Sequence, residues 1–144
     1  LFRSLASSIA NALIEKGISV RMTNFGVILN DMMNLQIDKN MYVKNLNSNR
    51  LLIIDDFGIQ RDTSFALEHI FNIIDSRYRA NKPIIVTTNL SISHLMNTTD
   101  LKEKRIYSRL LEMATPIIFN GENHRIKTMR EKAMTANLIL MESR

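Results

Sequence analysis

Between Ser4 and Lys16, apolar residues recur as Leu5, Ile9, Leu13 and as Ala6, Ala10, Ile14, the spacing of one helix face. Gly17 then supplies a stop. The segment ISVRM (18–22) reads as a short strand, and Asn24 offers a cap to a helix striped by Ile28, Met32 and Leu35. The stretch 38–50, rich in Asn and Lys, has no period and reads as a loop or a short irregular insertion. LLIID (51–55) is a continuous apolar run, the pattern of a strand buried on both faces. From Ser64 to Ala80, Leu67, Ile70, Phe71, Ile74 and Tyr78 mark the clearest amphipathic helix. Pro83 breaks that helix, and IIVTTN (84–89) is a second buried strand. A short helix over 92–97 and a longer basic one over 101–114 follow. Pro116 opens a last strand, IIFN, before the turn signal Asn120-Gly121. The tail over 128–144 is compatible with a helix. Strands alternating with helices predict an α/β fold, a parallel sheet with helices on both faces, in a single domain over 1–144.

Composition narrows this picture only a little. At 144 residues the chain can bury about two-thirds of its unfolded surface in one core. Trp is absent, so that core rests on Ile, Leu, Val and nine Met. The lack of Cys excludes disulfides and thiolate metal sites and suits a reducing cytoplasm. No apolar run approaches the ~20 residues that span a bilayer, so no membrane partner is expected. The opening LFRSLASSIA carries helix signals rather than those of a signal peptide. A net charge of +5 permits contact with nucleic acid without establishing it.

The chemistry-bearing residues lie at strand ends. In LLIIDDFG, Asp55 and Asp56 follow four apolar residues, at the C-terminal end of a buried strand, where open α/β sheets bind ligands. One carboxylate there can hold Mg²⁺ through its water shell, and the other can orient an attacking water. The same pair can also do no more than start a turn before Gly58. Thr87, Thr88 and Asn89 end the next strand, and beside the first strand Asn89 could hold a water or a phosphate oxygen. Strand-end Thr and Asn also commonly bond nearby backbone. Arg105 and Arg109 share one helix face, which suits either an arginine finger or a solvated basic face balanced by Glu103 and Glu112. His69, His94 and His124 lack metal-ligand spacing.

Taken in order, LLIIDDFGIQ, PIIVTTNL and KRIYSRLLEMA resemble the AAA+ ATPase domain of the DnaC helicase-loader and IstB transposition-helper family, from LASSIANALIEKGISV to about GENHRIK. The resemblance implies a parallel-sheet P-loop NTPase core that uses ATP and Mg²⁺. In it Asp55 and Asp56 are the Walker B acids, with Asp55 on the metal through water, and Asn89 is the sensor-1 residue. Arg109 or Arg105 is the arginine finger, Arg109 acting in trans in a self-assembled form, and Arg125 is the sensor-2 arginine. Thr63 and Phe65 fall where helicase loaders contact single-stranded DNA, and stacking of a base on an aromatic ring contributes about 1–3 kcal/mol.

Two departures accompany the resemblance. The family carries a GxxxxGK[ST] loop before the LA of its first helix, and aligning Leu5-Ala6 to that LA puts Phe2 at the lysine and Arg3 at the Ser or Thr. A partial domain, without the first strand and the phosphate loop and with poor affinity for ATP, is therefore expected. Because the family's first strand lies between its fourth and fifth, the sheet should be split. Secondly, many AAA+ proteins carry Glu at the position of Asp56, and the shorter acid suits slow turnover. The leading expectation is an ATP-switched loader that places a replicative helicase on single-stranded DNA, its helicase contact lying in an N-terminal extension. The alternatives are an ATP-binding helper of a transposase and a non-hydrolysing DNA-binding or scaffold module.

Overall fold

The computed structural model describes residues 2–34, 36–58 and 64–119. Helix α1 (Phe2–Glu15) ends as Gly17 takes a left-handed φ of 74°. The Gly17 amide donates to Ile14 O at 2.8 Å and the Ile18 amide to Leu13 O at 3.0 Å, which closes the final turn. Strand β1 (Val20–Asn24) leads into α2 (Phe25–Met33), where Asn24 Oδ1 accepts from the Val27 amide as cap. Helix α3 (Lys39–Ser48), strand β2 (Leu51–Asp55) and helix α4 (Ser64–Arg79) come next. Strand β3 (Ile84–Val86) and helices α5 (Ile92–Asn97) and α6 (Leu101–Met113) complete the described elements.

All pairings in the sheet are parallel, in the order β1-β2-β3. Every residue of the central strand is buried, and alternation of side chains divides them between two cores. Leu51 and Ile53 pack with Ala6 and Ala10 of α1. Leu52 and Ile54 face Phe25, Ile28, Ile70, Ile74 and Ile106, from α2, α4 and α6. Each such side chain contributes about 1.5–3 kcal/mol by leaving water. A one-residue slip of β2 would exchange the two cores and carry Asp55 to the wrong face.

Three sequence expectations are corrected. On α1, Ala6 and Ala10 meet the sheet with Leu13, while Leu5, Ile9 and Ile14 remain exposed, because small residues let the helix backbone approach the strands. The expected loop over 38–50 is instead largely helix α3. Asp38 caps its start through the Met41 amide, and its end is held from elsewhere in the chain. No strand forms over 115–119, where Ile117 and Ile118 are 73% and 64% exposed. A strand exists only with a ladder partner, and among the described residues none stands between β3 and this segment. Leu35, the turn at Asn120-Gly121 and the tail over 128–144 lie outside the described residues.

The chain leaving α3 is secured by two cations from the end of α4. Lys82 Nζ donates to the carbonyls of Asn47 and Ser48. Arg77 donates to those of Asn49, Arg50 and Pro83, at 3.2, 3.1 and 2.6 Å. Consecutive carbonyls from 47 to 50, including orphans of the helix terminus, are thereby satisfied. Arg77 is fully buried and has no carboxylate partner among the described residues; burial draws its guanidinium down to about 10, still charged at neutral pH. Asn81, at φ 50°, closes α4 so that the Lys82 amide bonds Arg77 O and both cations face the same segment. Arg77→Met is expected to lower the unfolding free energy by about 3 kcal/mol in urea melts, since it leaves three partly buried carbonyls without their donor. Arg79→Met, whose 78%-exposed side chain pairs with Asp75, should cost less than about 1 kcal/mol. Equal losses would remove the special role of the buried guanidinium.

Candidate functional site

The parity that buries Leu51 and Ile53 against α1 carries Asp55 to the same face, at the C-terminal end of β2. By the register of β2 and β3, Ile53 stands opposite Ile85, so the next residues of equal parity are Asp55 and Thr87. They meet. The Thr87 hydroxyl donates to Asp55 Oδ1 at 2.6 Å and accepts from the Asp56 amide at 2.9 Å, joining both acids to the neighbouring strand. Thr87 N also donates to Ile54 O, and the Phe57 amide donates to Thr87 O.

Asp56 turns sharply, with φ 54°, a conformation that Asp tolerates better than most residues. The turn leaves Asp56 exposed and sends Phe57 into the core, where its ring lies edge-on to Phe25 and Tyr107. Thr88 Oγ1 donates to Phe57 O and accepts from the Leu90 amide, tying this turn to the one after β3. The two strand ends thus form one hydrogen-bonded unit. Asp55 is fixed and nearly buried, whereas Asp56 presents its carboxylate to solvent.

A contact not foreseen from sequence completes the surroundings of Asp55. Arg3 Nε, from the first turn of α1, lies 3.1 Å from Asp55 Oδ2. With Thr87 on one oxygen and Arg3 on the other, Asp55 in this arrangement does not fit the water shell of a Mg²⁺ ion. Among the described residues no group of three or more His, Cys, Asp or Glu could hold a metal either. The signal for Thr87 was present in the matching parity of the two strands; the signal for Arg3 was its alignment to the Ser or Thr of the phosphate loop.

The remaining candidates are placed as follows. Asn89 lies just past β3, exposed, and its side chain bonds none of the described residues; Thr87 is the residue that touches the acids. Arg105 and Arg109 both lean on α4. The Arg105 guanidinium lies 4.3 Å from the centre of the Phe71 ring, and that of Arg109 lies 4.2 Å from the Tyr78 ring. Arg109 also pairs with Asp75 at 3.3 Å and with Glu112 at 3.1 Å. Hydrogen bonding to the Glu112 carboxylate raises the Tyr78 hydroxyl above its ordinary range. Phe65 is on the first turn of α4, with its side chain outside the described residues, as are Thr63 and Arg125. No described helix is long and apolar enough to cross a membrane.

Comparison with known proteins agrees with this fold. Residues 3–132 match the family of IstB-like ATP binding proteins. The chain is 28% identical over 126 residues to the replicative helicase loader DnaC of Escherichia coli K12, covering 84% of this chain and 50% of that protein. To a putative ATP-binding protein in an insertion sequence of Mycobacterium tuberculosis it is 21% identical over 125 residues, again covering 84% and 50%. The chain spans about half the length of these relatives. The crystal structure of DnaI superposes with a TM-score of 0.70 at 23% identity, over 83% of this chain and 64% of that one, which speaks for the fold alone. That of the DnaC helicase loader gives a TM-score of 0.56 at 25% identity, over 75% and 65%. With an α/β parallel sheet and a family match over most of its length, the chain belongs to the IstB-like ATP-binding proteins.

Proposed function

We propose that the chain is the core of an ATP-switched loader that places a replicative helicase on single-stranded DNA. The observation that carries this reading is the coupling of Asp55 and Asp56 to Thr87 across adjacent strand ends, in a chain more similar to DnaC than to the insertion-sequence protein. Thr87 bonds Asp55 and the Asp56 backbone, so a change at either strand end is felt at the other. Asp56, exposed beside them, is the acid suited to orient an attacking water, and Asn89, exposed in the turn after β3, is assigned to the same nucleotide. Thr63 and Phe65 are assigned to single-stranded DNA, and Arg125 to the nucleotide. Arg109 acts on the nucleotide of a neighbouring subunit, which requires it to exchange Asp75 and Glu112 for a phosphate.

The match to the insertion-sequence protein favours a second reading in which the partner is a transposase. Capture experiments with the full-length protein separate the two. The loader reading expects ATP-dependent delivery of a replicative helicase to single-stranded DNA, scored by strand unwinding. Stimulation of transposase strand transfer, with no helicase delivered, would assign the second role.

Thr87→Val keeps a β-branched side chain of similar size but leaves Asp55 Oδ1 and the Asp56 amide without their partner. A stability loss of about 1–3 kcal/mol is expected in urea melts. Unchanged stability would mean that this hydroxyl does not couple the strands. For Arg109, alanine should leave the fold in place and lower assembly-dependent hydrolysis by about 10³-fold. Mixing Arg109→Ala with Asp56→Asn subunits should restore part of that hydrolysis, because Asn tolerates the turn at position 56 and the second subunit still offers its arginine. Unfolding of Arg109→Ala would instead make this residue a structural partner of Asp75, and unchanged hydrolysis would shift the assignment to Arg105.

A further inference from the structure

Arg3 lies where a cation would be expected, and it is itself a cation. Its guanidinium meets the outer oxygen of an Asp55 side chain that is only 10% exposed and whose inner oxygen is already committed to Thr87. The first turn of α1 contains no acid, so a positive side chain there opposes the helix dipole unless a carboxylate from another element compensates it. Asp55 is that carboxylate. In phosphate-loop NTPases the metal bridges the strand-end acid to the Ser or Thr that opens this helix. Arg3 occupies that Ser or Thr position by sequence, and the structure brings it onto the acid.

We propose that in the nucleotide-free chain the Arg3 guanidinium takes the place of a divalent cation at Asp55, so that the acid is neutralised from within the chain and does not recruit a free Mg²⁺ ion. Unlike a metal, this charge cannot be removed by a chelator. The carboxylate pair is thereby divided: Asp55 is closed by Arg3 and Thr87, and only Asp56 stays open to solvent. The proposal rests on the nucleotide-site reading of Asp55, and it is independent of whether a helicase or a transposase is the partner.

The test is a Mn²⁺ titration of the chain without nucleotide or DNA, following the loss of the free-ion electron paramagnetic resonance signal. Wild type, Arg3→Ser and the Arg3→Ser/Asp55→Asn double variant are compared, with circular dichroism confirming that each is folded. Wild type is expected to bind no more tightly than the double variant, whereas Arg3→Ser gains a site at least about tenfold tighter, the change that 1.4 kcal/mol represents. Equal Mn²⁺ binding by wild type and Arg3→Ser, lost in the double variant, would overturn the proposal, because Asp55 would then accept the ion with Arg3 in place. So would an Arg3→Ser protein that binds no better than the double variant. Neither result bears on helicase delivery, so failure here and failure of the loader reading are told apart.

Discussion

Everything at the candidate site follows from the burial of β2 on both faces. A strand covered on one side can shift register at the cost of one set of contacts; a strand covered on both would have to exchange two cores at once. Leu51 and Ile53 are committed to α1, and Leu52 and Ile54 to the larger core, so the direction of Asp55 is not adjustable. The parallel register then brings Thr87 alongside, and the first turn of α1 completes the enclosure. The acid is positioned by the hydrophobic effect, although none of its own contacts is hydrophobic.

How far this was legible in the sequence depends on the range of the forces involved. The strand, its terminal acids and the amphipathic helix over Ser64–Arg79 are written in local periodicity, and they stand where the pattern puts them. Helix α3 is different. Its weakly periodic, Asn-rich sequence forms a helix because Asp38 caps one end while Lys82 and Arg77, some thirty residues later, satisfy the carbonyls at the other. Nothing within 38–50 announces cations supplied by a distant helix terminus. The reverse error occurred at 117–119, where a strand-like apolar run has no ladder partner among the described residues.

The site shows the same division. Asp55 and Asp56 could be read from LLIIDDFG, and the neighbouring strand from PIIVTTNL, but which strand-end residue touches the acids is a matter of parity. Asn89, singled out by motif, lies two residues beyond Thr87 and makes no contact with them. The arginines of α6 were readable as a pair on one face, yet their partners Phe71, Asp75 and Tyr78 lie on another helix. Arg109 therefore starts from a satisfied state, and any reach towards a neighbouring subunit must displace a buried carboxylate's partner as well as find a new one.

The backbone at Asp56 carries a consequence for how this acid can vary. Because its φ is positive, the side chain is held against the preceding peptide more closely than in an extended residue, and short polar side chains are the ones that relieve this by bonding locally. A glutamate here would gain a methylene of reach, but it would also be asked to hold a turn for which it is less suited. Relaxing that turn would pull the amide of residue 56 from the Thr87 hydroxyl and loosen Phe57 from its seat between Phe25 and Tyr107. Side-chain length and loop shape at this position are thus coupled, and a change in one disturbs the other.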